Sequence, residues 1–431
     1  MHVLAWLSER RSLKPMSVTE ISVGECEPWR LDGPLLDRPD GRFFSGVLSS
    51  SQAWILQPEV GVLGFIVSGE AENREILLNL KEEPGNVGMT QIAPTVQATK
   101  SNWERVHEGP PQPYIDLFQG LDVNRGPFQQ VLNSEQGTRF WRKCNANLMI
   151  STSRSLHETM NHRWFCMRDF RLALGNSFAV NTDARSVLAS TDWLLLLGND
   201  FSGIHDQEHH IMDEIRASIR GRKTSEADPL ETLFAARRMS PHPACSDISP
   251  ISSETSSNGA FWGIGGTGFQ FVHVKSSFRE VPQWSQPLWT SQERWTHQLV
   301  VSEIMGSIAV LIQISFEQGL LSGAEFGPSS SLCSSAKREG VLADLAAQLD
   351  SVGVILREID QSDEGGRFFK EVATYRLVWV DPEVLGKNEA LSLVLRDSYY
   401  LWVSPTQLNK LCATSMATTN ELRTLASLII S

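Results

Sequence analysis

The 431-residue chain has only six cysteines, and none of them falls in a CxxC pair or at the spacing of a zinc site. They are therefore expected to be small, mostly buried apolar side chains in a reducing compartment. Long apolar runs are also lacking, since the densest patch, Trp193 to Gly198, stops at once in Asn199 and Asp200. That is too short to span a bilayer. The first 14 residues hold too few apolar side chains for a signal-peptide core, so we expect a cytoplasmic protein.

An excess of positive charge is lacking as well. The formal net charge is -12, with no obvious basic patch, and such a chain repels nucleic-acid backbones and anionic membranes. No G-x-S-x-G elbow, Walker A loop or EF-hand loop occurs. We therefore expect no nucleic-acid or membrane partner, and find no support for serine-triad hydrolysis or phosphoryl transfer from ATP.

Two motif-like stretches are set aside. Gly263 to Gly268 fits G-x-G-x-x-G, but a Ser-rich segment precedes it and the strand-like FQFVHV follows it, whereas a dinucleotide site needs a strand before and a helix after. His205 and His209 fit the H-x-x-E-H zinc pattern, yet no third ligand is indicated and both fall off the apolar stripe of their predicted helix. We therefore expect the glycines to form a flexible segment at the start of the second domain. We expect the two histidines to be exposed on the surface, and we expect no metal site.

The length favours two domains. Residues 239–259 are rich in Ser and Pro and poor in large apolar side chains, which indicates a linker. The predicted organisation is therefore a first unit over 1–238, a linker over 239–259 and a second unit over 260–431.

The two units resemble each other in sequence. Three pairs of segments keep their order at offsets between 228 and 234 residues, which favours a tandem duplication. The pairs are Gln57-Pro58 with Gln286-Pro287, Glu83-Pro84-Gly85 with Glu317-Gln318-Gly319, and Ser134 to Phe140 with Ser362 to Phe368.

Each unit mixes strands and helices. Short apolar or alternating runs bounded by Gly and polar residues predict strands at 60–67, 75–80, 308–314 and 374–380. Helical patterns cover 114–121, 169–174 and 341–349. The expected fold class is α+β, a mixed-sheet domain used twice.

One stretch of the first unit carries a family resemblance. Its segments are QPEVGVLGF from Gln57, KEEPGNV from Lys81 and PTVQATKSN from Pro94, followed in order by Arg105-Val106-His107, Ser134-Glu135-Gln136-Gly137 and Val180 to Arg185. Jointly they resemble the NDP-hexose 2,3-dehydratase family of deoxysugar biosynthesis. The second unit matches less well, because Pro328-Ser329-Ser330-Ser331 stands where Pro-Thr-Val-Gln is expected. In the first unit, Trp103 stands where the family usually has Tyr.

The resemblance implies two Nudix-hydrolase-like domains per chain, without the glutamate-rich Nudix catalytic helix, and a homodimer. It implies a dTDP-4-keto-6-deoxyhexose as substrate and functional coupling to a downstream 3-ketoreductase. The implied reaction on dTDP-4-keto-6-deoxyglucose is C3 proton abstraction and β-elimination of the 2-hydroxyl, giving a 3,4-diketo-2,6-dideoxy sugar nucleotide. No hydride moves in this reaction, so no cofactor is expected.

Such an elimination needs a base for C3–H, a donor to the enolate oxygen and an acid for the leaving hydroxyl. His107 and Glu135 are the first candidates for base and acid, in either order, and Tyr114 is a candidate donor. Glu135 lies at a position shared by both units, so it also fits a framework role. The stretch from Thr95 to Asn102 together with His107 is unique to the first unit.

The remaining predictions concern substrate binding. Lys81, Arg139, Arg142 and Lys143 are the cations considered for a diphosphate, and Asp183 with Arg185 fits either sugar contact or a structural ion pair. The predicted substrate-binding set is Lys81, Gln97, Thr99, Ser101, Asn102, Trp103, Arg139, Arg142, Asp183, Arg185 and Trp284. Two alternatives stay open: a nucleotide-sugar-binding homologue with impaired chemistry, and, less favoured, a metal-dependent Nudix-type hydrolase.

Overall fold

The computed structural model describes residues 2–41, 43–70, 73–99, 111–119, 129–153, 156–198, 210–221, 228–239, 256–257, 259–334, 349–388 and 399–431. The predicted helix over 341–349 and the histidine pair at 205 and 209 lie outside these ranges, apart from position 349. No helix among the described residues is long and apolar enough to cross a membrane.

The described residues form ten α-helices, numbered in chain order. They are α1 (Val3–Ser12), α2 (Ile115–Gln119), α3 (Met167–Leu174), α4 (Thr182–Ala189), α5 (Trp193–Leu197), α6 (His210–Ser218), α7 (Pro229–Met239), α8 (Pro382–Lys387), α9 (Pro405–Cys412) and α10 (Asn420–Ile429). A short 3-10 helix spans Val23–Glu25.

The described strands before the predicted linker are β1 (Met16–Glu20), β2 (Arg30–Asp32), β3 (Leu35–Asp37), β4 (Ser45–Leu48), β5 (Ala53–Leu56), β6 (Gly61–Ser68), β7 (Glu75–Glu82), β8 (Thr90–Ala93), β9 (Val96–Ala98), β10 (Gln129–Ser134), β11 (Phe140–Trp141), β12 (Cys144–Ser151) and β13 (His162–Cys166). Those in or after it are β14 (Ser256–Ser257), β15 (Phe261–Ile264), β16 (Thr267–Ser276), β17 (Gln283–Ser291), β18 (Trp295–Ile304), β19 (Ser307–Ser315), β20 (Glu325–Gly327), β21 (Ser330–Cys333), β22 (Val354–Ser362), β23 (Val372–Trp379) and β24 (Tyr400–Val403).

Two seven-stranded mixed sheets have the same topology. In the first, β10, β12, β6, β7 and β13 follow one another, with β8 on β7 and β9 on β6. In the second, β22, β23, β18 and β19 follow in the corresponding order, with β20 and β24 on β19 and β21 on β18. In each sheet one internal pair is parallel, β12 with β6 and β23 with β18. The mixed α+β fold is confirmed, and the equal strand orders agree with the predicted duplication.

Two smaller sheets accompany them. One is the five-stranded order β11-β5-β4-β3-β2, and the other joins β1 to β16, which also pairs with β15 and β17. Because β1 pairs antiparallel with β16 from Met16 opposite Ser276 to Glu20 opposite Val272, a sheet crosses the predicted domain boundary. The boundaries themselves stay a prediction.

A pair of glycines lets the two halves approach closely. Gly85 N–H donates to the Gly365 carbonyl at 2.9 Å, and Gly319 N–H donates to the Gly137 carbonyl at 2.7 Å. A Cβ at Gly85 would lie 1.5 Å from the Phe368 carbonyl oxygen, and a Cβ at Gly319 would lie 2.0 Å from that of Phe140. These contacts explain why the Glu-x-Gly turns recur in both halves, since only glycine fits so close to another backbone.

One continuous core spans both halves. It includes Phe65 and Leu78 from the first large sheet, Val301 and Val310 from the second, and the buried faces of the helices between the sheets. The paired helices α4 and α10 pack against each other there. Burial of this shared apolar surface holds the two halves in one orientation.

The predicted strands match β6, β7, β19 and β23 within two residues at each end, and the predicted helices match α2 and α3 as far as they are described. The Gly263 to Gly268 stretch forms a β-hairpin instead of a flexible entry, because Gly265 and Gly266 both have positive φ (59° and 83°) in the turn between β15 and β16. A strand follows these glycines, as expected, so the phosphate-binding interpretation was rightly set aside.

Candidate functional site

A cleft opens between the first large sheet and segments of the second half. Its wall comes from β7, β9 and β12 on one side and from residues after the predicted linker on the other. The space inside, including the part open to solvent, is about 1370 Å³. Its lining includes Trp29, Arg38, Phe43, Phe44, Gln57, Lys81, Glu83, Gln97, Thr99, Lys143, Asn145, Asp183, Arg279, Trp284, Gln286, Glu364 and Arg367.

A polar network forms the sheet side of the cleft. Lys81, on β7, places its ammonium 3.3 Å from Glu83 Oε1 and donates to the Gln97 carbonyl at 3.2 Å. The Gln97 side chain donates to Glu83 at 3.3 Å and accepts from Asn181 at 2.8 Å. Each group holds the next in place, so Lys81 and Gln97 face the cleft in defined positions.

Lys143 lies on the same side, next to β12. It is buried and donates to the Glu59 carbonyl at 2.5 Å. Burial lowers the pKa of Lys143, while Glu135 and Glu364 oppose that shift. A desolvated ammonium in such a cleft is a strong donor to a developing oxyanion.

Glu135 stands behind Asn145, not in the cleft wall. Asn145, which does line the cleft, donates to Glu135 Oε1 at 2.6 Å, and Asn420 from the second half donates to Oε2 at 3.0 Å. Burial raises the pKa of Glu135 to about 7, and Glu364 adds to the shift. Glu135 therefore orients Asn145 and lies outside the described cleft wall, and its predicted acid–base role stays a prediction.

Asp183 reaches the cleft from the first turn of α4, behind the Asn181 N-cap. It is 2% exposed, and its Oδ1 has no hydrogen-bond partner among the described residues. Burial raises the pKa of Asp183 well above its usual value, and Glu364, Glu135 and Glu83 raise it further. An uncharged carboxyl at this position can donate a proton.

The cleft wall also carries arginines beside aromatic rings. The Arg38 guanidinium lies 4.3 Å from the centre of the Phe43 ring, and that of Arg279 lies 5.7 Å from the Trp284 ring. Arg367 lies 5.0 Å from the Phe44 ring and donates to Gln57 at 3.0 Å. Arginines next to aromatic rings suit a phosphate-linked aromatic ligand.

The structure brings together five of the predicted binding residues. Lys81, Gln97, Thr99, Asp183 and Trp284 all line the cleft, and so does Lys143. His107, Ser101, Asn102 and Trp103 lie outside the described residues, so their roles stay predictions.

Two predicted arginines lie elsewhere. Arg139 forms a buried ion pair with Asp363 and packs on the Trp289 and Phe368 rings. Arg185 is fully buried between the halves, where it donates to Gln361 and not to Asp183. The expected Asp183–Arg185 ion pair is therefore not formed, because α4 directs the two side chains to different surroundings.

Arg142 and Tyr114 are also absent from the described cleft wall. Arg142 lies 5.3 Å from the Trp141 ring. The Tyr114 hydroxyl donates to the His157 carbonyl at 2.5 Å, and its ring packs edge-on against His162. Burial, followed by the nearby Glu158, raises the pKa of Tyr114, so its proton stays engaged away from the cleft.

The sequence reasoning missed Glu364, Arg367, Arg279, Arg38 and Asn145 as lining residues. The repeat did hold a signal for two of them. Glu364 and Arg367 lie in the Ser362 to Phe368 turn that matches Ser134 to Phe140, and the close glycine contacts bring that turn to the first half.

The corresponding positions of the second half have changed character. When the repeat segments and sheets are aligned, Ser315 corresponds to Lys81, Ser331 to Gln97 and Glu371 to Lys143. Glu371 there accepts from Ser291 Oγ at 2.8 Å and helps hold Arg139. Both cleft lysines are lost, so the duplicated half does not repeat the site. Among the described residues no cluster of three or more His, Cys, Asp or Glu side chains suits a metal ion.

Comparisons with known proteins agree with this architecture. The model of the NDP-hexose 2,3-dehydratase family matches residues 1–191 and 261–429. A dTDP-4-dehydro-6-deoxy-alpha-D-glucopyranose 2,3-dehydratase of Streptomyces violaceoruber is 31% identical over 397 residues, covering 85% of this chain and 84% of that protein. Proteins of the same name from Saccharopolyspora spinosa and Amycolatopsis orientalis are 28% and 27% identical, covering 87% and 99% of this chain and 81% and 89% of theirs.

The two matched segments leave out the stretch that contains the predicted linker, and each contains one of the large sheets together with its wall of the cleft. The chain belongs to the NDP-hexose 2,3-dehydratase family and is a hydro-lyase of that family.

Proposed function

We propose that the protein dehydrates dTDP-4-keto-6-deoxyglucose across C2 and C3, giving a 3,4-diketo-2,6-dideoxy sugar nucleotide. The relatives are named for this reaction. The observation that carries the proposal is the cleft itself, which is lined by Asp183 and two lysines and by arginines beside aromatic rings.

The arginines of the cleft wall fit a nucleoside diphosphate. Arg38, Arg279 and Arg367 offer cationic donors to the two phosphates, and Trp284 offers a face for the base. The hexose then extends toward Lys81, Gln97 and Asp183. This orientation places the reacting carbons beside the groups that change protonation.

The steps of the reaction follow from the chemistry of a 4-keto sugar. Removal of the C3 proton sends the electron pair toward the C4 carbonyl oxygen, which Lys81 or Lys143 stabilises as an enolate. The enolate collapses, the C2–O bond breaks, and Asp183 protonates the departing hydroxyl as water. The resulting 2,3-enol becomes the 3,4-diketone when C2 takes up a proton and the 3-hydroxyl gives one up.

Further parts of the proposal rest on the family resemblance and on the two similar sheets. Each large sheet with its helices is proposed to be a Nudix-like domain, and the enzyme is proposed to act as a cytoplasmic homodimer. The labile diketone calls for a 3-ketoreductase that consumes it. Light scattering after size-exclusion chromatography tests the dimer, which a monomeric mass would refute.

The test of function uses purified protein and dTDP-4-keto-6-deoxyglucose without NAD(P)H. We expect loss of the substrate and appearance of the diketone, trapped by a partner ketoreductase that is added with NADPH afterwards. Unchanged substrate despite measurable binding indicates a nucleotide-sugar-binding homologue without chemistry. Metal-dependent release of thymidine monophosphate indicates a Nudix-type hydrolase.

A further inference from the structure

Among the described residues, the proposed reaction still needs a base that removes the C3 proton, since the sequence candidate His107 lies outside them. Four described carboxylate residues line the cleft: Glu83, Asp183, Glu280 and Glu364. A base must be ionised, must face the ligand and must not be held by stronger partners. These three requirements separate the four residues.

The Glu83 carboxylate is occupied by contacts within the protein. It lies 3.3 Å from the Lys81 ammonium and accepts hydrogen bonds from Gln97 and Asn86 at 3.3 and 3.2 Å. Three donors on one carboxylate hold it in place. Glu83 therefore orients Lys81 and Gln97.

Asp183 and Glu280 fail for other reasons. Asp183 is buried, and burial, followed by the charges of Glu364, Glu135 and Glu83, holds its pKa well above the usual value, which suits a proton donor. Glu280 forms an ion pair with Arg279 at 3.4 Å, so a stronger partner holds its carboxylate. Neither residue is therefore suited to take the C3 proton.

Glu364 meets the requirements of position and of freedom from stronger partners. It is partly exposed and lines the cleft, and its carboxylate accepts no hydrogen bond and forms no ion pair within the described part of the chain. Its charge lies close enough to affect Lys143, Glu135 and Asp183. Its main chain is fixed, because its carbonyl accepts from Arg367 and Phe368 N–H at 2.8 and 2.9 Å.

We propose that Glu364, contributed by the second half of the chain, is the catalytic base that takes the C3 proton, with Asp183 of the first half as the acid. In this step the C3–H bond breaks, the proton passes to the Glu364 carboxylate, and the electron pair moves to the C4 oxygen. The inference rests on the proposed function. It gives the diverged second half a chemical role, although that half has lost its own lysines.

The experiment separates base from acid by proton exchange. In Asp183→Asn the elimination should fall at least about 100-fold, while substrate recovered from D₂O should still gain deuterium at C3, because the base is intact. Adding Glu364→Gln should lower that C3 exchange by about 100-fold or more. Glu358→Gln in the same background is the matched control, since Glu358 is exposed on β22 and pairs with Arg376 at 2.6 Å, and it should leave exchange unchanged.

Affinity for dTDP, measured by calorimetry, should stay within a few-fold in all variants, which shows that the cleft is intact. The inference is overturned if Asp183→Asn/Glu364→Gln exchanges as fast as Asp183→Asn alone, or if exchange disappears in Lys143→Met but survives in Glu364→Gln. A wild-type enzyme that neither eliminates nor exchanges refutes the proposed function instead, so the two failures are distinguishable.

Discussion

Arg185 and Arg423 occupy matching positions on α4 and α10, and each guanidinium donates into the opposite half of the chain. Arg185 Nε donates to Gln361 Oε1 at 3.1 Å, and Arg423 Nη2 donates to the Ser134 carbonyl at 2.5 Å. Both side chains are fully buried. These two hydrogen bonds connect each helix to the opposite half of the chain, beside the turns that carry Glu135 and Glu364. The geometry of the cleft therefore depends on the interface between the repeats.

Arg185→Met should therefore destabilise the protein. It leaves acceptors on Gln361, Ser427 and Leu174 without their donor, which we expect to cost on the order of 3 kcal/mol in the free energy of unfolding. Chemical denaturation measures it. Arg376→Met is the control, because Arg376 pairs at the surface with Glu358 and Asp350, and the loss there should stay below about 1 kcal/mol. Equal losses would contradict the interface role.

The arginines at the matching positions 139 and 367 should behave differently when replaced by Met. Arg139→Met leaves Asp363 buried without its partner, so we expect a loss of about 3–5 kcal/mol in stability. Arg367→Met removes a cation from the cleft wall, so the Kd for dTDP should rise about tenfold, equivalent to ~1.4 kcal/mol, with little change in Tm. Weakened dTDP binding by a fully stable Arg139→Met would restore the diphosphate role predicted from sequence.

Turnover should rise with pH through the titration of Glu135. Its pKa is raised to about 7, mainly by burial, and only the ionised form accepts hydrogen bonds from both Asn145 and Asn420. Below pH 7 the carboxyl takes up a proton and Asn145 loses its fixed orientation. A pH profile of kcat should show this acidic limb in the wild type, and Glu135→Gln should have a lower, flatter profile with dTDP affinity retained. An unchanged limb in the variant would assign it to another group.

The stability of the protein should fall as pH rises through the titration of Glu325. Burial raises the pKa of Glu325 to about 7 in the folded state, above its ordinary value, so the folded protein holds this proton more tightly. The resulting stabilisation is present at acidic pH and is lost as pH rises through about 7.

Glu325→Gln should remove that dependence. The variant should be more stable than wild type at pH 8, by up to ~3 kcal/mol, and the difference should shrink toward pH 5, as followed by thermal unfolding. Gln retains an acceptor for the Ser134 and Ser322 hydroxyls, which donate to Glu325 Oε1 at 2.5 and 2.9 Å. The exposed substitution Glu358→Gln should show no pH-dependent gain. A gain of equal size at both pH values would exclude titration as the cause.

Local sequence patterns were sufficient to predict the repeat and several residues of one cleft wall. Alternating or apolar runs predicted β6 and β7 because a strand's hydrophobic pattern is a local property. Lys81, Gln97 and Asp183 were found because they lie in segments with family-like spacing. The Glu-x-Gly turns were recognised as shared framework, and the structure supplies the reason in the close contacts of Gly85 and Gly319.

The sequence by itself indicated the class of fold, the pairing of the repeat segments and the family, since all three depend on residue patterns and their spacing along the chain. Only the tertiary structure decided which copy of a repeated residue faces the cleft. Arg139 and Arg367 occupy the same place in their repeats, yet one pairs with Asp363 in the interior while the other lines the cleft. Gln136 likewise donates to Asp363 at 3.2 Å, whereas Glu364, its counterpart in the second repeat, lines the cleft. Packing of the two halves sets burial and neighbouring charge, and those two quantities decide what an arginine or a carboxylate can do.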